Sequence, residues 1–432
     1  MPSEPNAPPE PPSGSAARFE ADYLIESAFP LREAAEAIAG EQSCGTFVAV
    51  PGETAALRAR AAARVERIEE IGESAAPALP GASAPRGGPA RWRRGRVTLS
   101  WPLDTIGPSL PNLLATVAGN LYELKQVSGL RLLDLRLPQA FADAYPGPQF
   151  GISGTRRLAG VAGRPLIGTI IKPSVGLDAD ETAALVATLA EAGVDFIKDD
   201  ELQSDGAHCP FEQRTRAVMR VINAHAERTG RMVMYAFNIT GDLDEMRRRH
   251  DLVAGLGGTC VMASLNAVGL VGFLALRRHA QLPLHAHRNG WGALSRAPLL
   301  GWSFPAWQTV WRLAGADHMH VNGLSNKFSE DDDSVVAAAR ACLAPLFAGK
   351  PCLAMPVFSS GQTARQAAAT WQALGSTDLI HAAGGGIMAH PQGPAAGVAS
   401  LREAWDAAVA GIPASDYART HPALAAALEA FR

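Results

Sequence analysis

The chain has 432 residues, with 39 Lys and Arg against 42 Asp and Glu and a formal charge of −3. That balance excludes nucleic acid or an anionic membrane as the main partner. The length exceeds a single barrel, while no apolar run approaches the ~18 residues of a membrane span and the N-terminus lacks a basic-then-apolar leader, so a soluble cytoplasmic protein is expected. Cys44, Cys209, Cys260, Cys342 and Cys352 are scattered without CxxC spacing, which predicts reduced thiols and neither a disulfide frame nor a zinc site.

Residues 1–17 are rich in Pro, Ser and Gly and read as a disordered tail. Residues 18–145 are expected to form an α+β domain. It would comprise a strand from Phe19, a helix over Leu31–Ala39, a helix over Ala55–Ile71 with Arg and Glu on its wet face, and a Pro/Gly/Ala loop over Ala75–Ala90. A strand over Arg96–Trp101, a helix over Asn112–Glu123 and a strand over Leu130–Leu137 follow. Helices on one small sheet in this order predict a ferredoxin-like arrangement.

Residues 146–432 show a different rhythm. Short β-rich runs alternate with Ala/Leu-rich amphipathic segments: Pro165–Lys172, Val194–Lys198, Met232–Ile239, Cys260–Leu265, Leu282–His287, His318–Val321, Leu353–Phe358 and Leu379–Ala383. Eight strand-then-helix units predict a (β/α)8 TIM barrel, in which chemistry sits where strands end. Polar residues cluster at those ends: Lys172, Lys198–Glu201, His287-Arg288, His320, Ser359-Ser360-Gly361 and Gly384-Gly385-Gly386. Alone, the Lys198-Asp199-Asp200-Glu201 run reads as a surface charge cluster. At the end of a barrel strand it reads otherwise. An amine that reacts with CO2 becomes a carbamate, so Lys198, Asp200 and Glu201 would present three oxygen ligands to Mg2+ and leave positions open for substrate. The glycines after the last two strands fit a phosphate site, where backbone N–H groups approach an anion closely. His285 is expected to face away from His287 as a satisfied core histidine.

The motifs GTIIKP (Gly168–Pro173), GVDFIKDDE (Gly193–Glu201), LHAHR (Leu284–Arg288), DHMHVNG (Asp317–Gly323), PVFSSG (Pro356–Gly361) and AAGGGIMAHPQG (Ala382–Gly393) occur in this order. So placed, they resemble the large subunit of ribulose-bisphosphate carboxylase/oxygenase (RuBisCO) and, more closely, the RuBisCO-like proteins. The resemblance implies a carbamylated Lys198 binding Mg2+ with Asp200 and Glu201, Lys172 as the enolising base with His287 nearby, and Arg288, His320 and Ser359 as binders of one phosphate. Gly361, Gly384 and Gly385 would hold a second anionic group. GEQSCGTF (Gly40–Phe47) and VAGN (Val117–Asn120) extend the likeness into the first domain. They imply that Glu41, Thr46 and Asn120 complete the site of a neighbouring subunit, making a homodimer or higher homo-oligomer the active unit.

The departures narrow the reaction. Where the carboxylases have Lys-Pro-Lys this chain has Lys172-Pro173-Ser174, the threonine before that motif is Ile170, a histidine after strand 5 is Trp291, and a tryptophan in the first domain is Phe47. CO2 fixation is therefore not expected. Retention of the ligands and of Lys172 points to enolate chemistry on a phosphorylated keto sugar or sugar acid. Lys327, which meets a carboxylate in the carboxylases, is retained. It favours decarboxylation or C–C hydrolysis, of the kind in RuBisCO-like proteins of apiose catabolism. One alternative is a methionine-salvage enolase or isomerase, with Trp291 and Phe47 walling a methylthio group. Another is a sugar-phosphate-binding protein without catalysis.

Overall fold

The computed structural model describes residues 17–431, except 46, 47, 49 and 87–89. The tail expected over residues 1–17 therefore lies almost wholly outside the described residues, as do Thr46 and Phe47. The chain separates into two compact units, one holding the described residues up to Leu130 with Leu135–Ala140, the other holding Arg131–Asp134 and Phe141 onward.

The N-terminal unit is built on strands β1 (Arg18–Ser27), β2 (Arg64–Ser74), β3 (Trp92–Pro102) and β4 (Gly129–Arg136). Their order is β4-β1-β3-β2, with β3 antiparallel to both β1 and β2. This is the ferredoxin-like order. Period-two patterning is clean in β1, where Phe19, Ala21, Tyr23 and Ile25 are buried, and the helix Leu31–Glu41, which packs near β1, buries Leu31, Ala34, Ala35 and Ile38.

Two expectations here are corrected. The segment Ala55–Ile71 is helical only over Ala55–Ala61, and from Arg64 it is strand β2. Val65, Ile68 and Ile71 fall three apart, which imitates a helix, but the register against β3 shifts between Val65 and Arg67 and again between Glu70 and Gly72. Each bulge inserts a residue and destroys strict alternation. The segment Asn112–Glu123 divides into a helix Leu110–Ala118 and a 3-10 turn Asn120–Glu123, parted at Gly119, whose ψ of −126° is not helical.

The second unit is a closed parallel barrel. Its strands are β5 (Leu166–Ile170), β6 (Phe196–Lys198), β7 (Met234–Asn238), β8 (Cys260–Ser264) and β9 (Leu284–His287), then β11 (His318–His320), β12 (Met355–Phe358) and β13 (Ile380–Ala382). The short strand β10 (Leu300–Trp302) lies outside it. All eight strands fall inside the predicted runs. Leu166, Ile170, Phe196, Met234, Ala236, Cys260, Met262, Met355, Val357, Ile380 and Ala382 form its buried interior. Asp317, just before β11, accepts from the backbone N–H groups of Phe150, Gly151 and Leu284 and pairs with buried Arg277 at 3.0 Å. It ties the N-terminal end of the barrel together.

Burial holds several histidines neutral. His318 is pushed down to about 3 and His381 to about 4, both by loss of solvent, while the unfolded chain titrates near the ordinary value of about 6.5. A depressed folded pKa means that the unfolded state binds protons first. Stability is fully present above pH ~6.5 and falls as pH drops toward 4, by up to about 1.4 kcal/mol per pH unit for each such histidine. A urea-unfolding series across this range checks the slope, and His381→Gln is expected to reduce it by about one proton.

Candidate active site at the barrel mouth

β6 stops at Lys198, whose side chain is inside the barrel and only 1% exposed. Its ammonium nitrogen donates to the carbonyl of Asp199 at 2.8 Å and lies 3.5 Å from a Glu201 carboxylate oxygen. Burial pushes the Lys198 amine below its usual range, more strongly than Glu201, Asp200 and Asp199 pull it back. Lys172, just beyond β5, donates to Asp200 Oδ2 at 2.6 Å and to Ser174 Oγ at 2.7 Å. Burial alone would raise the Asp200 carboxyl, but the bond from Lys172, with help from the Leu202 N–H and Lys198, holds it below its ordinary value. His287, closing β9, sets Nε2 3.4 Å from Glu201 Oε2. Burial, then the Lys198 charge, depresses His287 to about 4. Lys172, Lys198, Asp200, Glu201 and His287 are thus brought together from three strand ends.

Asp199 is turned the other way. Buried, it accepts from Tyr235 Oη at 2.5 Å, from the Asn238 N–H at 2.9 Å and from Arg214 at 3.3 Å. The Asn238 amide in turn donates to the carbonyls of Asp200 and Glu201. These bonds fix the backbone that carries the outward carboxylates. Asp199 stood in the quoted run without an assigned role, and strand alternation is the signal that separates it from Asp200. Tyr235, Asn238 and Arg214 carry no sequence signature, because they belong to apolar or helical stretches with no motif.

On the far side of the mouth, Arg288 is 6% exposed and lies over the rings of Phe304 and Trp291 at 5.0 and 6.0 Å. One guanidinium nitrogen bonds Glu330, which also accepts from Asn322 at 2.6 Å and Ser334 at 2.8 Å, whereas Arg288 Nη1 has no hydrogen-bond partner. Glu330 has no signature in the sequence. His320 faces Ser359, with Nδ1 to Oγ at 3.1 Å. His285 is a satisfied core histidine but does not face away from His287. Two residues apart on one strand, both side chains lie on the barrel's interior side, and both rings pack against His320.

Lys327 is exposed on the loop after β11, tethered through its N–H to Ser360 O at 3.2 Å, with its ammonium 5.2 Å from the Phe328 ring. It makes no contact with Lys172 or Asp200 in this conformation. Gly361 has φ +90°, and a Cβ on Gly386 would stand 2.6 Å from the Gln362 carbonyl, so neither position takes a side chain without strain. Nothing stands within 4 Å of a Cβ built on Gly385. Trp291 is buried against Phe304 and Trp307 and builds the core beneath Arg288. Glu41 and Asn120, both exposed, belong to the N-terminal unit.

Another group, His250, Asp251 and His279, brings three ligand atoms within 4.8 Å. His250 Nε2, however, accepts the Gln281 N–H at 3.0 Å, which leaves its proton on Nδ1, facing Asp251 at 2.9 Å. A metal there would need that proton's place. The group is a hydrogen-bonded helix tie.

A parallel barrel with lysines and carboxylates converging at the C-terminal ends of its strands, preceded in the chain by a ferredoxin-like domain, defines a narrow class. Residues 22–141 match the N-terminal domain of the ribulose bisphosphate carboxylase large chain, and residues 151–431 its catalytic domain. The chain belongs to the RuBisCO large-chain family. It is 60% identical over 415 residues to a 3-oxo-isoapionate-4-phosphate transcarboxylase/hydrolase of Xanthobacter autotrophicus, covering 96% of this chain and 99% of that one. A 3-oxo-isoapionate-4-phosphate decarboxylase of Rhizobium etli is 47% identical over 95% and 97% of the two chains. Among solved structures, a RuBisCO-like protein from Burkholderia fungorum superposes with a TM-score of 0.90 at 52% identity, over 96% of this chain and all of that one. No helix among the described residues is long and apolar enough to cross a membrane.

The buried support can be tested apart from any activity. Tyr235→Phe keeps the ring and deletes a hydroxyl that satisfies Asp199, so a loss of about 1–3 kcal/mol in folding stability is expected from denaturant unfolding.

Proposed function

We propose that the protein cleaves a carbon–carbon bond in a phosphorylated branched 3-oxo sugar acid, of the 3-oxo-isoapionate 4-phosphate type, by carboxyl transfer with hydrolysis or by decarboxylation. The observation that carries this is the convergence of Lys172, Lys198, Asp200 and Glu201 at one strand-end cluster, together with 60% identity to the transcarboxylase/hydrolase.

A 3-oxo acid has its carboxylate β to a ketone, so breaking the bond from the carboxylate carbon to the carbon between them leaves on that carbon an electron pair that the ketone oxygen can accept as an enolate. The donor set fits Mg2+: Lys198 is buried, biased toward the neutral amine that attacks CO2, and flanked by Asp200 and Glu201, so that as a carbamate it would make three anionic oxygen ligands. When bound, the metal supplies Lewis-acid stabilisation of the charge that develops on the ketone oxygen. Lys172 holds or moves the proton at the neighbouring carbon, and Ser174 accepts from it where the carboxylases carry a third cation. His287, against Glu201, orients the substrate oxygens or shares that proton. Lys327, from the loop after β11, meets the departing carboxylate. Arg288 binds one anionic end of the substrate, with His320 and Ser359 lining that end, and Gly361, Gly384 and Gly385 receive the other. A phosphate that reaches Arg288 would displace Glu330.

Two observations favour this over a methylthio-sugar isomerase. Trp291 is occupied by core packing, and both relatives described above carry 3-oxo-isoapionate phosphate names. As a binding protein alone the chain would have no use for a buried lysine among carboxylates.

Lys172→Met is expected to lower kcat by ~10²–10⁴ with little change in affinity, the range for a lost general acid or base. With substrate labelled at the carboxyl carbon, wild-type enzyme should send the label to CO2 if it decarboxylates, or to a non-volatile acid if it transfers and hydrolyses. Failure to consume the substrate with Mg2+ and bicarbonate present removes the proposal.

The active unit proposed is at least a homodimer, with Glu41, Thr46 and Asn120 reaching the neighbour's site. Mixing Asn120→Ala chains with Lys172→Ala chains should restore part of the activity, because one site of the hybrid then has two unmutated halves. With subunit exchange demonstrated, no recovery would mean that each chain builds its own site.

A further inference from the structure

A line of hydrogen bonds runs inside the barrel from the helix Gly151–Ala159 to the mouth. Thr155 Oγ1 donates to the Gly151 carbonyl and lies 2.8 Å from His318 Nε2. His318 Nδ1 is 3.3 Å from His285 Nδ1, His285 Nε2 is 2.7 Å from His320 Nε2, and His320 Nδ1 is 3.1 Å from Ser359 Oγ. Each contact between two groups accommodates one proton, so fixing one end fixes the whole order.

The Thr155 hydroxyl has one proton, and the Gly151 carbonyl takes it. His318 must therefore donate from Nε2, leaving Nδ1 bare. His285 then donates from Nδ1 and accepts at Nε2, and His320 donates from Nε2. That leaves His320 Nδ1 without a proton, and the Ser359 hydroxyl donates to it. The alternatives are closed off locally. The Cys260 thiol, 4.0 Å from His318 Nδ1, reaches the Pro283 carbonyl at 3.4 Å. The rings of His285 and His318 pack against Phe196. All three histidines are buried, which favours the neutral forms the order requires.

We propose that Thr155 is a positioning residue that locks the tautomers of His318, His285 and His320, so that His320 Nδ1 accepts the Ser359 proton and holds it turned away from the substrate end of the site. Reversing the order, with Thr155 donating to His318, would make His320 a donor and free the Ser359 proton for a ligand oxygen. Thr155 thus sets which polarity this end of the site presents. The inference rests on the reading of His320 and Ser359 as substrate-facing, but the proton order itself does not.

Neutron diffraction from deuterium-exchanged wild-type crystals reads the order directly. Deuterons are expected on Nε2 of His318, Nδ1 of His285 and Nε2 of His320, with the Ser359 deuteron toward His320. The opposite order, or a doubly protonated histidine among the three, overturns the proposal whatever the substrate proves to be. Thr155→Val keeps the shape and removes the anchor. KM for the 3-oxo sugar acid phosphate should fall about 3- to 10-fold with kcat within about twofold, because the Ser359 proton is then free to meet a substrate oxygen, and Thr155→Ser should return KM to the wild-type value. An unchanged KM in folded Thr155→Val protein would overturn the link to substrate. If neither variant folds, the wild-type map still decides. A wrong substrate assignment would show instead as no turnover by the wild type.

Discussion

The site depends on a single costly placement, an amine buried at the end of a three-residue strand. Removing an ammonium from water is expensive unless it is paired or loses its proton. Lys198 has a backbone carbonyl at 2.8 Å and a carboxylate only at 3.5 Å, which is modest compensation for near-total burial. The neighbours follow from that imbalance. Asp200 is shared with Lys172, Glu201 leans toward both Lys198 and His287, and Asp199 is withdrawn into a separate buried network. One side of the four-residue run faces the barrel mouth while the other holds it still.

The same division recurs across the mouth. Arg288 is stacked on aromatic rings and held by Glu330, itself fixed by Asn322 and Ser334. Ser360 links this group back to β12 through Asn322 at 2.9 Å. The Arg288 side therefore carries a resident carboxylate, whereas on the glycine side a Cβ built on Gly385 meets nothing within 4 Å. Two ends so different in charge suit a substrate whose own two ends differ.

Much of this was legible because barrels write themselves into sequence. The strands are short β-rich runs, most of them with a polar residue at or just beyond the C-terminal end, and Lys172, Lys198, His287, His320 and Ser359 all stand where that rule puts them. The illegible parts have physical causes. Tyr235 and Arg214 act through long-range contacts, 36 and 15 residues from Asp199, and Glu330 lies in a loop whose acidic run reads as solvated. Lys327 is legible as a residue, but where its exposed side chain goes is a matter of loop conformation. In the first domain, Ala55–Ile71 misleads because its apolar spacing follows a bulged strand.

Those bulges carry a consequence beyond prediction. β2 is the outermost strand on its side of the N-terminal sheet, and most of its residues are exposed. A flat, regular strand there would offer its free backbone edge to any passing chain. Two register shifts twist the edge out of line, and Arg64, Glu66, Arg67, Glu69, Glu70 and Glu73 would bring charge into any strand laid beside it. The feature that hides β2 from a periodicity reading also guards the domain against aggregation through open-edge pairing.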